Sequence, residues 1–276
     1  MTNSTFQRFT TTHPLVIKYG GNAMVDVDLK NAFASDVAEM FKSGNSIAVV
    51  HGGGPNINEM LKKFSVEGEF RGGFRVTSES AMKVVRLTLA GEVRTELVNL
   101  FNQHDLRSIG LSGEDGVLFR AKHRLVNIDG ILTDIGYVGD ACDVDVSLIQ
   151  YLLDAQYLPI ISSYAADYQG TSHNINADTA AGAIAGAIKA RELMMLTDVP
   201  GIYRNWPDRD SLITRMSLIE AQQLLPKLAS GMVPKVEAAI NALNLGVDQV
   251  RIVDGREQNI VYRSIENDLG TVIYHG

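Results

Sequence analysis

The sequence contains little that would cross-link a fold, because it has a single cysteine, Cys142, among 276 residues. One cysteine excludes a disulfide bond within the chain. The 6 histidines are scattered, and their spacing does not match a local zinc motif. We therefore expect the fold to depend on its hydrophobic core, without a structural metal site.

Long apolar runs and clusters of basic residues are also missing. No run comes near the roughly 18 apolar residues of a membrane helix, and residues 1–13 are polar with no secretory core. The net charge of −7 and the lack of a basic patch argue against nucleic-acid binding. The sequence predicts a cytoplasmic protein with neither a membrane nor a nucleic acid as partner. In so acidic a chain, a lysine or arginine beside a glycine-rich turn is informative.

Several common catalytic motifs are absent. The chain has no Gly-Lys pair, and hence no Walker A loop, and it has no G-x-G-x-x-G dinucleotide fingerprint. The stretch HGGG (51–54) also occurs at the oxyanion hole of lipases and esterases, but no G-x-S-x-G nucleophile elbow accompanies it. A hydrolase of that kind is therefore disfavoured.

Short β-branched runs alternate with helical periodicity along most of the chain, which predicts an α/β protein with a mainly parallel sheet covered on both faces. Residues 116–140 instead alternate with period two between glycines, which favours hairpins. We predict one continuous sheet shared by two lobes, 1–189 and 190–276. The apolar pattern predicts strands at 14–19, 46–50, 107–111, 158–162, 192–197, 249–253 and the C-terminus, and helices at about 29–41, 57–64, 78–101, 146–155, 176–189, 216–226 and 233–245.

Two glycine-rich turns follow predicted strands. YGGN (19–22) ends the first strand, and HGGGP (51–55) follows the second. Because parallel strands end at the same edge of a sheet, both turns would lie where open α/β folds bind ligands. Backbone N–H groups in such turns bind anions. A tight turn alone would explain one run of glycines, but the two together favour an anion site.

Two lysines stand out beside these turns. Lys18 lies in an otherwise apolar strand, where a lysine commonly extends to solvent; beside the glycines it would instead direct its ammonium into the crevice. Lys235 falls in the first turn of a helix predicted to start at Pro234, where the helix dipole disfavours a cation by roughly 0.3–1 kcal/mol. A bound anion shared with the helix N-terminus would make this position favourable for Lys235. The alternative is a solvated lysine that tolerates the small penalty.

Three further stretches place polar side chains at the ends of predicted elements. HNINAD (173–178) has Asn174, Asn176 and Asp178 at a helix start, and capping accounts for only one of them. Arg75, in GGFRVT, can clamp a ligand carboxylate or pair with a carboxylate of the protein. LTDVPGIY (196–203) runs from a strand into a turn and is a candidate nucleotide-binding edge.

Taken in order, VIKYGGNAM, HGGGP, FRVT, LAGEV, GLSGEDG, NINADTAAG, LTDVPGIY and GMVPKVEAA resemble the motifs of the amino-acid kinase family. The likeness runs from about residue 14 to the C-terminus. Many members share the glycine turns, whereas Arg75 in RVT together with NINADTAAG is typical of the branch that phosphorylates N-acetyl-L-glutamate. The resemblance implies an open three-layer αβα sandwich, in which the N-terminal lobe binds N-acetyl-L-glutamate and the C-terminal lobe binds ATP.

The resemblance also implies transfer of the γ-phosphoryl group of ATP to the γ-carboxylate of N-acetyl-L-glutamate, the second step of arginine biosynthesis, with Mg²⁺ held mainly by the ATP phosphates. Lys18 and Lys235 match the lysines that neutralise the transferring phosphoryl group, and Asp178 matches the aspartate that holds both ammonium groups. The implied substrate-binding residues are Gly53, Gly54, Arg75, Asn174 and Asn176. The implied phosphoryl- and nucleotide-binding residues are Gly20, Gly21, Asn22, Gly52, Thr197, Asp198, Gly201 and Gly231.

The chain departs from the family pattern at several positions. Gly72 and Ser78 replace acidic residues that commonly flank RVT, and Glu114 replaces a lysine. The resemblance implies a homodimer; a hexamer and inhibition by L-arginine stay open, because few residues precede the first strand and Arg251 stands where a histidine is frequent. Two other activities stay open as well: a kinase for a carrier-protein-linked glutamate or aminoadipate, and a non-catalytic nucleotide or amino-acid sensor. Retention of both lysines and the aspartate argues against the sensor.

Overall fold

The computed structural model describes residues 13–128, 130–228 and 231–276. Within these ranges we find no helix with the length and apolar character of a membrane span. The strands are β1 (Leu15–Tyr19), β2 (Ile47–His51), β3 (Phe70–Arg71), β4 (Phe74–Arg75), β5 (Ser108–Ser112), β6 (Arg120–Ile128), β7 (Ile131–Cys142), β8 (Leu158–Ser162), β9 (Tyr164–Ala166), β10 (Ser172–Ile175), β11 (Glu192–Thr197), β12 (Ile202–Tyr203), β13 (Leu212–Ile213), β14 (Arg215–Ser217), β15 (Gln249–Asp254) and β16 (Thr271–Tyr274). The α-helices are α1 (Val27–Lys42), α2 (Gly54–Lys63), α3 (Glu79–Arg86), α4 (Arg94–Gln103), α5 (Ser147–Asp154), α6 (Ala177–Ala187), α7 (Leu218–Leu224), α8 (Val233–Asn244) and α9 (Ile260–Glu266).

Eight strands form one central sheet in the order β14-β16-β15-β11-β1-β2-β8-β5. Neighbouring strands are parallel except β15 and β16, so the sheet is mainly parallel. Helices pack on both faces, which confirms the predicted α/β fold, a three-layer αβα sandwich. Strands before residue 190 fill one half of the sheet and later strands fill the other, and the halves meet where β1 pairs with β11. The division into lobes at 1–189 and 190–276, each with its own ligand, stays a prediction.

Strand β1 lies inside the sheet, and all of its residues are buried. Its side chains alternate between the two faces. Leu15 and Ile17 pack with α1, α4 and α9 in one apolar cluster, whereas Val16 packs with α6 and α8 in another. Lys18 follows Val16 by two residues and therefore points to the face covered by α6 and α8. An ammonium buried there requires an anionic partner, and Asp178 of α6 supplies it.

A smaller sheet, in the order β6-β7-β10-β9, packs against α6. The hairpin predicted within 116–140 is confirmed, because β6 and β7 pair antiparallel, from Arg120 opposite Cys142 to Ile128 opposite Ile131. Strand β10, which was not predicted, adds parallel to β7 and carries Asn174. Its alternation of polar and apolar residues is a strand pattern, which the sequence-based prediction took only as an approach to a helix.

A bridge between Thr77 and Gly136 ties the short hairpin of β3 and β4 to β7. The N–H of Tyr137 donates to the carbonyl of Thr77 at 2.7 Å. Gly136 has a φ of +84°, and an added Cβ would collide with that same carbonyl oxygen. Glycine here lets β7 pass close enough to fix the end of the β3–β4 hairpin.

Two helical regions differ from the prediction, although the other helices lie within a few residues of their predicted bounds. The helix predicted at 78–101 consists of α3, a π-helical segment (Leu87–Val93) and α4. Helix α9 was not predicted. The N–H groups of Val261 and Tyr262, at the N-terminus of α9, donate to the carboxylate of Asp36 in α1. This cap comes from a distant part of the chain, so no local signal announces it.

Candidate active site

The ends of β1 and β2 bring the two glycine-rich turns together, as predicted. The strands are parallel neighbours, with Tyr19 opposite His51. The N–H of Gly52 donates to the carbonyl of Tyr19 at 3.1 Å. Helix α2 begins at Gly54 without a side-chain cap, so its first backbone N–H groups lie at this edge. The local partial positive charge of a helix N-terminus suits an anion.

The first turn requires glycine because of what lies next to its backbone. Gly21 has a φ of +75°, and an added Cβ would lie 2.8 Å from Asp198 Oδ1. At Gly20, an added Cβ would lie 2.9 Å from Lys18 Nζ. The two glycines thus leave room for one ammonium and one carboxylate at the end of β1.

Asp178 lies between the two predicted lysines. Its Oδ1 is 2.9 Å from Lys18 Nζ, and its Oδ2 is 3.0 Å from Lys235 Nζ. Asp178 belongs to the first turn of α6 and Lys235 to the first turn of α8, and these helices pack together. The carboxylate therefore offsets the unfavourable position of a cation at a helix N-terminus.

Burial and charge act in opposite directions on this cluster. Burial lowers the pKa of Lys18, and the nearby Asp178 carboxylate opposes that change. Burial also acts to raise the pKa of Asp178, but the ammonium groups of Lys18 and Lys235 outweigh it and hold that pKa well below its usual range. The carboxylate is therefore ionised at neutral pH. Lys18, Lys235 and Asp178 together carry one more positive than negative charge, which favours an anionic ligand. Asp198 at the neighbouring turn offsets part of that charge.

A cavity of about 190 Å³ opens beside this cluster. Phe70, Phe74 and Ser163 form part of its wall, together with predicted residues from both glycine turns and from the start of α6. The cavity brings together ten of the predicted site residues: Lys18, Gly20, Gly21, Gly52, Gly53, Gly54, Arg75, Asn174, Asn176 and Asp178.

Arg75 carries a buried charge into this cavity. Arg75 is only 7% exposed. Among the described residues, no carboxylate lies within ion-pair distance of its guanidinium. Its Nη1 is buried without a hydrogen-bond partner, and its Nη2 makes only a long contact of 3.4 Å with the carbonyl of Gly54. The ring of Phe70 lies 4.6 Å from the guanidinium carbon. An arginine in this state is suited to a ligand carboxylate, which would satisfy the buried donor.

The two predicted asparagines have different surroundings. Asn174 Nδ2 donates to Thr77 Oγ1 at 3.3 Å, and that hydroxyl donates to the carbonyl of Arg75 at 2.9 Å. The amide of Asn174 is thereby linked to the strand that carries Arg75. Asn176 is the N-cap of α6, and its Oδ1 accepts the N–H of Asp178 at 2.8 Å. Capping thus explains one of the three polar residues, which leaves the Asn176 amino group for a ligand.

The structure does not bring every predicted residue to the cavity. Asp198 lies against Gly21, at the edge of the site. An added Cβ at Gly201 would lie 2.5 Å from Thr271 Oγ1, so packing against β16 accounts for that glycine. The side chain of Asn22 lies outside the described residues. The predicted nucleotide-binding residues that do not line the cavity are Thr197, Asp198, Gly201 and Gly231.

Sequence reasoning missed three side chains that shape the cavity. His51 was read only as part of HGGGP, but its ring is buried and contacts Gly52. Thr77 is buried and holds Asn174, and Phe70 covers Arg75. A histidine that closes an apolar strand is a signal that the sequence does offer. The other two depend on a fold of the chain that local patterns do not show.

A larger cavity, of about 640 Å³, lies between α6, α8 and the β6–β7 hairpin. Its wall includes the ion pair of Arg124 with Asp140, and Glu237 from α8. None of the residues that line it is a predicted site residue. The smaller cavity is the candidate active site, because it contains the buried charges and the glycine turns.

Comparison with known proteins identifies the family of this chain. The family model described as "Amino acid kinase family" matches residues 14–254. An acetylglutamate kinase of Mycobacterium ulcerans (strain Agy99) is 49% identical over 257 residues, which cover 93% of this chain and 88% of that relative. An acetylglutamate kinase of Corynebacterium glutamicum (strain ATCC 13032) is 50% identical over 242 residues, covering 88% and 82% of the two chains.

Solved structures with the same fold include enzymes of other names. The N-acetylglutamate synthase of Neisseria gonorrhoeae complexed with coenzyme A and N-acetyl-glutamate has a TM-score of 0.83 and 25% identity, covering 96% of this chain; the chain spans 60% of that synthase. The carbamate kinase of Giardia lamblia bound to AMP-PNP has a TM-score of 0.70 and 18% identity, covering 97% of this chain and 100% of the other, and shows the fold alone. With its family match, its relatives and its site, the chain belongs to the amino acid kinase family.

Proposed function

We propose that this protein transfers the γ-phosphoryl group of ATP to the γ-carboxylate of N-acetyl-L-glutamate, giving N-acetylglutamyl 5-phosphate in the second step of arginine biosynthesis. The observation that carries the proposal is the placement of Asp178 between two lysines beside a cavity that also holds the unpaired Arg75. The relatives that share about half of its sequence along most of its length are named acetylglutamate kinases. The protein is thus an ATP-dependent carboxylate kinase.

The chemistry needs charge neutralisation and positioning rather than a base. The acceptor carboxylate is ionised at neutral pH, so its oxygen attacks the γ-phosphorus directly, and the bond from that phosphorus to the bridging oxygen of ADP breaks. Lys18 and Lys235 would neutralise the charge on the phosphoryl oxygens, and the N–H groups of the glycine turns would add hydrogen bonds. Asp178 would hold the two ammonium groups in place. In this scheme Asp178 does not remove a proton, which agrees with its strongly lowered pKa.

The acceptor would lie along the Arg75 side of the cavity. A guanidinium with a buried, unsatisfied Nη1 would bind the α-carboxylate of N-acetyl-L-glutamate. Asn174 and Asn176 would contact neighbouring polar groups of the substrate. Gly53 and Gly54, at the start of α2, would donate backbone hydrogen bonds to oxygens of the substrate and of the phosphoryl group that it accepts.

The donor would enter from the other side of the cluster. Gly20, Gly21, Asn22 and Gly52 would surround the transferring phosphoryl group. Thr197, Asp198, Gly201 and Gly231 would contact the nucleotide. We assign ATP to residues 190–276 and N-acetyl-L-glutamate to residues 1–189, because the cavity with Arg75 is built by the first part of the chain.

Mg²⁺ is expected to arrive with the nucleotide. Among the described residues, no group of three His, Cys, Asp or Glu side chains is placed to hold a metal ion, and both oxygens of Asp178 already contact lysines. Phosphate oxygens of ATP would therefore be the main ligands of the ion, which would withdraw charge from the β- and γ-phosphates.

The assembly and its control are further proposals. We expect a homodimer in the cytoplasm, with a hexamer as the alternative and L-arginine as a candidate feedback inhibitor. Sedimentation of the purified protein distinguishes a dimer from a hexamer. The kinase assay repeated with L-arginine tests inhibition.

The activity is tested by ATP-dependent formation of an acyl phosphate, trapped as a hydroxamate with hydroxylamine. N-acetyl-L-glutamate, free L-glutamate and a carrier-protein-linked glutamate are compared in parallel. We expect turnover with N-acetyl-L-glutamate only. Turnover confined to the carrier-linked substrate would assign the protein to the alternative kinase, and silence with every substrate would favour a sensor.

A further inference from the structure

The ring of His51 lies beneath the glycine turn that follows β2. It is fully buried, and its Nδ1 is 2.8 Å from the carbonyl oxygen of Gly52. Its Nε2 is 2.9 Å from the hydroxyl oxygen of Ser162, which stands opposite His51 on the neighbouring strand β8. Both nitrogens of the ring therefore have a partner, although the proposed chemistry assigns the ring no part.

The partners determine which nitrogen carries the proton. A carbonyl oxygen only accepts hydrogen bonds, so Nδ1 must donate to Gly52. Burial lowers the pKa of His51 to about 4, and the ring is therefore neutral at neutral pH. Nε2 is then an acceptor, which the Ser162 hydroxyl satisfies. The Gly52 carbonyl thus fixes the tautomer, and the Ser162 hydroxyl fits it by donating to Nε2.

The hydrogen bond from His51 to the Gly52 carbonyl also orients the next backbone group, the N–H of Gly53. The peptide group between Gly52 and Gly53 is trans, so its C=O and its N–H point in opposite directions. With the carbonyl held toward His51, the N–H of Gly53 points away from the ring. Gly53 itself lines the cavity. We propose that His51 is a positioning residue, which orients the Gly53 N–H as a donor to the transferring phosphoryl group, an inference that rests on the proposed function.

Other contacts also surround the peptide group between Gly52 and Gly53, but none of those described holds the carbonyl of Gly52. The N–H of Gly52 is already used by the carbonyl of Tyr19. On the other side, an added Cβ at Gly53 would lie 2.9 Å from Leu89 Cδ2 and 3.2 Å from Val93 Cγ2, so the π-helical segment presses against Gly53. The carbonyl of Gly52 is the remaining point of control, and His51 holds it.

The test compares variants that keep different halves of the ring. His51→Asn places an amide N–H near the position of Nδ1 and keeps the donor to Gly52. His51→Gln places its amide near the position of Nε2, so it keeps a partner for Ser162 and loses that donor. Ser162→Ala removes the hydrogen bond to Nε2 that holds the ring against Gly52. Steady-state kinetics with ATP and N-acetyl-L-glutamate is measured for each, with thermal unfolding as a check on the fold.

We expect His51→Asn to keep kcat within about threefold of the wild type and His51→Gln to lower it about tenfold to a hundredfold, less than the loss of a whole oxyanion donor. The KM values should change little, because the contact serves the phosphoryl group in the transition state. Equal losses in the Asn and Gln variants, or a loss confined to KM, would overturn the inference.

Ser162→Ala keeps the proposal testable if the glutamine variant does not fold. We expect it to lower kcat about threefold to tenfold with unchanged KM values, and a wild-type kcat would overturn the inference. The wild-type protein, assayed in parallel, separates the two levels of the argument. If it has no activity, the proposed function fails together with the inference; if it is active and the variants match it, only the inference fails.

Discussion

Replacing Asp178 by asparagine removes the charge that holds two ammonium groups and changes the shape of the site very little. At 2.9 and 3.0 Å, each contact corresponds to roughly 6 kcal/mol of Coulomb energy at an effective dielectric constant of about 20. The net effect on folding is smaller, because Lys18 can release its proton when the carboxylate is absent. We expect Asp178→Asn to lower the free energy of unfolding by about 3–5 kcal/mol.

Activity should suffer more than stability. Without the carboxylate, Lys18 either loses its charge or is repelled by Lys235, and in both cases we expect kcat to fall about a hundredfold or more. Because Asp178 raises the pKa of Lys18, residual activity should disappear at a lower alkaline pH than in the wild type. The folded-state pKa of Asp178 lies below its unfolded value, so its stabilisation is present above about pH 4 and is lost as the pH falls further. The stability difference between the two proteins should shrink accordingly below about pH 4.

Glu192→Gln is the matched control for this experiment. Glu192 is also buried in an ion pair, 2.7 Å from the Nε of Arg251. It lies on β11 opposite Leu15, three residues along the strand from Lys18 and hence roughly 10 Å away. The assays are urea unfolding and hydroxamate formation. We expect both variants to be less stable and only Asp178→Asn to lose turnover. A kcat within about threefold of the wild type in Asp178→Asn, or an equal loss in Glu192→Gln, would refute the reasoning.

Three more predictions concern separate parts of the molecule. Lys235→Met should lower kcat about a hundredfold with little change in melting temperature, because its side chain is partly exposed; normal turnover contradicts its place at the phosphoryl group. Arg75→Lys should raise the KM for N-acetyl-L-glutamate about tenfold or more and leave the KM for ATP unchanged, since lysine cannot bind a carboxylate through two donors; a parallel rise in both KM values contradicts it. Burial raises the pKa of Asp36 to about 6, so this carboxyl takes up a proton on folding between about pH 4 and 6. Unfolding measured across that range should show the wild type losing stability relative to Asp36→Asn as the pH rises, and parallel pH curves would contradict the burial argument.

The central sheet and the charges at its edge could be predicted because their signals are local. Strands buried on both faces read as continuous apolar runs, and a lysine inside such a run, as at Lys18, demands a partner. Lys235 was unusual for a similar reason, because a cation in the first turn of a helix is disfavoured by the helix dipole. The sequence could show that Lys18 and Lys235 were each unusual. Only the resemblance to a family predicted that both would contact Asp178. The predicted pairing is present in the structure.

The remainder depends on contacts that join distant parts of the chain. Helix α9 takes its N-terminal cap from Asp36, and the break between α3 and α4 is a π-helical segment that helical periodicity alone does not distinguish. Strand β10 needs β7 as its partner, so its residues looked like a loop before a helix. That Arg75 has no carboxylate partner among the described residues is likewise a fact of the folded chain. From the sequence, either fate of its guanidinium was open.

The contact between Asp178 and Lys235 also joins the early part of the chain to the late part, whereas Lys18 and Asp178 both precede residue 190. Any motion that draws α8 away from α6 must break the contact of Asp178 with Lys235, while the contact of Asp178 with Lys18 can persist. The full set of charges that we propose for phosphoryl transfer is therefore complete only while α6 and α8 stay packed together. A change in the spacing of these two helices would switch off the proposed chemistry without altering any residue of the cavity.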